Sequence, residues 1–199
     1  MMDVAVIDAG GANLGSVCYA LERLGAVPRI VRDADALAGA VRIVLPGVGA
    51  ARPAMRALRK GGFDIALRDS EIPLLGICLG MQLLFEHSEE GDTACLGLLP
   101  GVVRRMLPGP GVRVPHMGWN RLRPLREDPL LAGIEDGAFA YFVHGYAVLP
   151  DAHAIAGCRH GDVFSAVVRR ANVAGAQFHP ERSATCGARI LRNFVGVPA

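Results

Sequence analysis

No two cysteines in this 199-residue chain stand in a CxxC spacing, and the five present, Cys18, Cys78, Cys95, Cys158 and Cys186, are scattered and odd in number. Such usage argues against a disulfide framework and fits a reducing, cytoplasmic setting. The six histidines show no HxxxH spacing, so no metal site is expected. His116 and His144 read as hydrogen-bonded core or interface residues. The chain has no long basic run: 21 Lys and Arg stand against 19 Asp and Glu, a formal charge of +2. Electrostatics therefore gives no reason to expect nucleic-acid binding. Arg104-Arg105 with Arg121, Arg123 and Arg126 read as solvated surface or as a docking face.

Nucleotide and membrane signals are missing too. Gly10-Gly11-Ala12-Asn13-Leu14-Gly15 lacks the GxGxxG spacing, and no Gly-Lys-Ser/Thr follows any loop. No cofactor is expected. The longest apolar run, Ile72 to Phe85, is about 14 residues and falls short of the ~20 needed to span a bilayer. The amino-terminal stretch has no basic segment leading into an apolar one, so no secretory leader is expected.

What is present is core-forming material. Hydrophobic residues make up 51% of the chain and charged ones 20%, with 25 glycines and 13 prolines spread along it. A single domain over residues 1–199 follows. Val4 to Ile7 is an unalternating apolar run that suits a strand buried on both faces. Asn13 to Leu24 has helical periodicity and ends at Gly25. Val27 to Val31, Val41 to Leu45 and Ile72 to Ile77 read as further strands. Ala34 to Ala40 and Arg52 to Leu58 read as helices, and Met81 to Phe85 as the start of another. This alternation predicts an α/β fold with a mostly parallel central sheet and helices on both faces. The second half predicts shorter strands, some antiparallel: Gly101 to Met106, Val112 to Val114, Ala138 to Val143, Ala154 to Cys158, Val163 to Val168 and Val173 to Phe178. A closing helix spans Ala188 to Phe194.

The segment Gly76-Ile77-Cys78-Leu79-Gly80, between an apolar strand and an apolar helix, is a G-x-nucleophile-x-G elbow with cysteine as the nucleophile. The glycines leave room for neighbouring backbone, and the turn sets the sulfur at a helix N-terminus. There the dipole and free N–H groups favour a thiolate. The N–H of Leu79 would face an oxyanion formed at a substrate carbonyl. Near the other end, His179-Pro180-Glu181 places an imidazole and a carboxylate two residues apart. In an extended segment the two share one side, as base and orienting group. Leu45-Pro46-Gly47-Val48-Gly49, at the carboxyl end of a strand, offers a second oxyanion N–H near Val48. A competing reading is a binding protein of the same fold with Cys78 as a redox sensor.

Gly76 to Gln82 together with Gln177-Phe178-His179-Pro180-Glu181 resembles the class I glutamine amidotransferases. Leu45 to Gly49, Pro115-His116-Met117-Gly118-Trp119-Asn120 and Tyr141-Phe142-Val143-His144 are similar to the glutaminase subunits of imidazole glycerol phosphate synthases. The resemblance runs from Val6 to Phe194 and implies a flavodoxin-like fold with Cys78, His179 and Glu181 as the triad. It also implies Gln82, Glu90, Gly145 and Tyr146 around L-glutamine. Gly47 and Val48 would lie in an oxyanion strand that changes conformation when partner and ligand bind. The partner implied is a cyclase subunit with a (β/α)8 barrel, met in a heterodimer by Asn13, Trp119, Asn120, Tyr141 and Arg182. Departures from the family pattern are Ala9 and Ala12 in the first turn, Gly145 where Ser or Thr is commoner, and Ala147 where an aromatic is.

Overall fold

The computed structural model of the chain describes residues 2–10 and 14–196. Strand β1 (Met2–Ile7) is followed by α1 (Leu14–Glu22), β2 (Ala26–Val31), β3 (Arg42–Gly47) and α2 (Ala51–Lys60). The single turn α3 (Phe63–Ala66), β4 (Leu74–Cys78) and a second single turn, α4 (Leu79–Gln82), complete the first half. The second half holds β5 (His87–Ser88), β6 (Thr93–Ala94), β7 (Val102–Arg105), β8 (His116–Arg121) and β9 (Arg123–Pro124). Then come β10 (Phe139–His144), β11 (Tyr146–Ala147), β12 (Ala154–His160), β13 (Asp162–Arg170), β14 (Val173–Ala176) and α5 (Ala184–Gly196).

The main sheet runs β2-β1-β3-β4-β14-β13-β12-β9. Its pairs are parallel from β2 through β14 and antiparallel beyond. Successive strand residues face opposite sides, so an apolar strand without polar alternation needs cover on both. The structure supplies it. Val4, Val6, Val44, Leu75 and Ile77 enter one core with Val17 and Leu21 of α1 and Ile190 and Leu191 of α5. Ala5, Ile7, Ile43, Leu45 and Leu74 enter the other with Ala54, Met55 and Leu58 of α2. The mostly parallel sheet, two-sided helical cover and antiparallel extension agree with the sequence reading.

Several elements differ. Between Ala34 and Ala40 only Asp35–Leu37 forms a helical turn, of 3-10 type. Val112 to Val114 is not a strand; Val112 makes one isolated bridge to Gly109. β8 was not expected, because its sequence carries a central glycine and no alternating pattern; it pairs with β10. α3 follows two glycines and is a single turn with Gly62 as its N-cap, at φ 73°. The helix expected over Met81 to Phe85 ends at Gln82. Beyond it the bonds tighten to i+3, Leu84 N–H to the Met81 carbonyl at 3.1 Å and Phe85 N–H to the Gln82 carbonyl at 3.3 Å, and the carbonyls of Leu83, Leu84 and Phe85 accept from the amides of residues 96–99.

The elbow between β4 and α4 depends on close backbone contact. A Cβ at Gly80 would stand 1.8 Å from the Leu45 carbonyl oxygen, and one at Gly76 2.7 Å from the Gly80 carbonyl. Gly80→Ala should therefore cost about 2–4 kcal/mol and lower Tm by about 5 °C or more. Gly109→Ala, where nothing lies within 4 Å, should stay within about 0.5 kcal/mol of wild type. Thermal melts of both variants check the contrast.

Candidate active site

Cys78 is the last residue of β4 and holds φ 55°, ψ −112°, a backbone that L-residues avoid. Such strain costs about 1–3 kcal/mol and persists only where the surroundings enforce it. Here they are the paired strand β3, with Gly47 beside Cys78, and the glycine contacts of the elbow. The thiol is buried, and its hydrogen bond goes to the Val143 carbonyl at 3.6 Å. Because α4 has only four residues, it carries little macrodipole. The unpaired N–H groups of its first turn, rather than a long helix, supply positive potential beside the sulfur.

β14 lies next to β4, with Ala176 opposite Ile77, so the chain continuing from β14 emerges beside Cys78. His179 is extended, with its N–H donating to the Tyr141 carbonyl at 3.0 Å. The next three residues do not stay extended as the spacing suggested. Pro180–Arg182 forms a 3-10 turn with Pro180 at its start, where a fixed φ and a missing N–H suit it. The turn brings Glu181 back under the ring, and His179 Nδ1 meets Glu181 Oε1 at 2.9 Å. Ser183, fully buried, closes the turn. Its hydroxyl donates to the His179 carbonyl at 2.7 Å and accepts from the Tyr141 N–H at 2.9 Å.

Burial alone would push the His179 pKa down. Hydrogen bonds and charge interactions with Cys78 and Glu181 overcome it and carry the value up to about 10. The imidazole is thus protonated at neutral pH, held between the Cys78 sulfur and the Glu181 carboxylate. Glu181 Oε2 is buried with no hydrogen-bond partner among the described residues, so the carboxylate's second oxygen faces that charge without competition.

Cys78 and His179 open onto a cavity of about 280 Å³ also lined by Val48, Gly49, Leu79, Gln82, Glu90, Pro115, Val143, His144, Gly145 and Tyr146. This volume is at the small end for ligand sites and suits a molecule of amino-acid size. Gln82 Nε2 donates to the Tyr146 carbonyl at 2.8 Å and to Gln177 Oε1 at 3.0 Å. Glu90 Oε2 accepts from the Ala51 N–H at 2.8 Å, at the first turn of α2, which ties the cavity's acidic wall to that helix. Gly47 lines a smaller neighbouring cavity with Pro46, Val48, His179, Glu181 and Arg182.

The residues expected at a docking face are partly together. Trp119 and Tyr141 are opposite in the β8–β10 ladder, with rings 5.8 Å apart. Arg182 is exposed beside Glu181. Asn120 differs in direction: its amide turns inward, to His116 and the Arg159 carbonyl. Asn13 and the Ala12 departure lie outside the described residues. Ser183, His144, Gln177 and Val143 were not picked out as site residues. Val143 acts through its carbonyl and has no side-chain signature, while Ser183, one residue past the His-Pro-Glu-Arg run, was visible but unassigned.

Residues 5–197 match the family described as glutamine amidotransferase class-I. The chain belongs to that family. Among its class-I relatives, the imidazole glycerol phosphate synthase subunit HisH of Xanthomonas oryzae pv. oryzae is 65% identical over 195 residues, 98% of each chain. The HisH of Xylella fastidiosa is 63% identical over 199 residues, the full length of both. A crystal structure titled simply as a glutamine amidotransferase superposes with a TM-score of 0.76 at 24% identity, covering 98% of this chain and 99% of that one, a likeness of fold.

The raised His179 pKa has a consequence for stability. A folded value of about 10 against 6.5 for a free imidazole means that the charge contributes its full stabilisation below pH 6.5. That contribution is lost as pH rises through about 10. Urea unfolding of wild type and His179→Gln should show the wild-type advantage shrinking between pH 6.5 and 10. An advantage that grows with pH would contradict the assignment.

Proposed function

We propose that this chain is the glutaminase subunit of an imidazole glycerol phosphate synthase, acting in the cytoplasm as a single glutamine amidotransferase domain. The observation that carries this reading is the meeting of Cys78 and His179 at one amino-acid-sized cavity, with Glu181 buried behind the imidazole. The identity to HisH subunits along the whole chain selects the acceptor reaction.

In this reading the Cys78 sulfur attacks the side-chain carboxamide of L-glutamine and a C–S bond forms. The N–H of Leu79 and one near Gly47-Val48 hold the tetrahedral oxyanion. The C–N bond breaks, His179 gives its proton to the departing nitrogen, and ammonia leaves a thioester. Water then attacks the thioester carbonyl, giving up its proton to His179, and the C–S bond breaks to release glutamate. Glu181 orients the imidazole and stabilises its charged form, and does not itself take the proton. Gln82, Glu90 and the Gly145-Tyr146 backbone hold the substrate's amino-acid end.

Ammonia passes to a cyclase subunit, a (β/α)8 barrel in the heterodimer. The cyclase makes imidazole glycerol phosphate and aminoimidazole carboxamide ribotide from the ribulosyl formimino ribonucleotide. The face that meets it carries Met117, Trp119 and Phe139, which are 65%, 52% and 49% exposed on adjoining strands. An apolar cluster of this kind on a soluble surface marks an interaction site. Tyr141 and Arg182 adjoin it. Loop Pro46 to Gly49 gates turnover: with one oxyanion donor turned away, turnover falls by about 10²–10³.

Glutamate release from glutamine should be low for the chain alone and rise about 10²-fold or more with the cyclase and its ribonucleotide. Cys78→Ala should lower the activated rate by about 10⁴ or more. Normal turnover in that variant would end the thioester mechanism, and full activity without the partner would end the gate.

A further inference from the structure

The glutamine cavity has a buried extension that the triad does not use. His144 lines the cavity, and its Nδ1 lies 2.8 Å from the Tyr146 carbonyl. Its Nε2 lies 3.1 Å from His116 Nδ1, and His116 Nε2 lies 3.1 Å from Asn120 Nδ2. The donors follow from the ends of this chain. A carbonyl only accepts, so His144 Nδ1 carries the proton and its Nε2 accepts. His116 Nδ1 must then donate, which leaves His116 Nε2 to accept from Asn120. The Asn120 amide is fixed independently: Nδ2 donates to the Arg159 carbonyl at 2.9 Å, and Oδ1 accepts from the Arg121 N–H at 2.8 Å. Each link therefore has one allowed direction, and both rings must be neutral to keep it.

The surroundings hold them so. Burial first, then the neighbouring histidines, push His116 down to about 3. Burial pushes His144 down to about 4. The His116 ring is clamped between Phe142, with centroids 4.9 Å apart, and His160, 4.0 Å apart. His160 is itself anchored by Nε2 donating to the Arg113 carbonyl at 2.7 Å.

The far end of the chain is the substrate wall. The Tyr146 carbonyl accepts twice, from His144 Nδ1 and from Gln82 Nε2, each at 2.8 Å. The residue before it, Gly145, has no side chain, and its carbonyl accepts from the Met106 N–H at 2.9 Å, where β11 runs beside β7. The ladder with β7 holds the main chain on that side, and the direction of the Tyr146 carbonyl toward the cavity is left to its two side-chain donors, His144 and Gln82.

We propose that His116, which does not line the cavity, is a positioning residue for glutamine: acting through His144, it fixes the Tyr146 carbonyl and so the Gly145-Tyr146 wall against which the substrate's amino-acid end rests. The proposal builds on the glutaminase reading above. Loss of His116 leaves His144 Nε2 without its donor, frees that ring to turn, and loosens the wall while Cys78, His179 and Glu181 stay in place. The consequence is weaker substrate binding with the chemical step retained.

The test is steady-state glutamate release by the full chain assembled with the cyclase and its ribonucleotide ligand, for wild type, His116→Leu and His116→Asn. His116→Leu should raise KM for glutamine about tenfold or more, with kcat within about threefold. His116→Asn returns an N–H to the Nδ1 position and should bring KM back to within about threefold of wild type. A KM for His116→Leu within about twofold of wild type overturns the proposal. So does a fall in kcat at unchanged KM, the mark of lost folded enzyme, or a failure of Asn to restore KM. Should His116→Leu not fold, His116→Asn is set against His116→Gln, whose amide reaches the Nε2 position instead. A KM about fivefold higher for Gln supports the assignment, and equal values overturn it. Wild type without glutaminase activity would instead defeat the underlying functional reading.

Discussion

Three stretches of backbone come together at the end of β4, closer than any side chain allows, and the site depends on that contact. Gly80 sits against the Leu45 carbonyl, Gly76 against Gly80, and Gly47 against the Gly80 amide. The contact locks β3, β4 and α4 into one unit and holds Cys78 in its strained turn. With Cys78 fixed, the position of its proposed base follows from strand pairing rather than from loop conformation. β14 is in register with β4, and the polypeptide leaving it has only two residues, Gln177 and Phe178, to run before His179. Two groups about a hundred positions apart in sequence are thereby neighbours on one sheet.

Electrostatics is layered on this frame. Cys78, His179 and Glu181 form a row in which the central group is charged because its neighbours outweigh the effect of burial. A few ångströms away, His116 and His144 show the opposite balance. Among the described residues they have no carboxylate partner, and burial keeps both neutral. The same side chain thus serves two purposes in adjoining parts of the molecule, separated by what faces it.

Much of this was legible in the sequence. The apolar runs at Val4, Val41 and Ile72 marked the parallel strands, because a strand covered on both faces needs no polar alternation. The glycine spacing around Cys78 marked the elbow, because only glycine permits that approach. Elements set by distant contacts were harder to read. β8 is held by β10 and has no pattern of its own, while the chain after α4 tightens into i+3 bonds and then gives the Leu83 to Phe85 carbonyls to remote amides. At His179-Pro180-Glu181 the pairing was anticipated but its geometry was not, since Pro180 starts a turn as readily as it keeps a strand extended. The inward direction of the Asn120 amide depends on His116 and Arg159, which no local pattern reveals.

The brevity of α4 has one more implication. A long helix would bathe the sulfur in a standing field summed over many aligned peptides, and no single bond rotation could remove it. A one-turn helix leaves the task to a handful of individual amides, each effective only when aimed. On the proposed function, chemistry at Cys78 is thus conditional on local peptide orientation, so turning one plane slows the molecule with no rearrangement of its sheet.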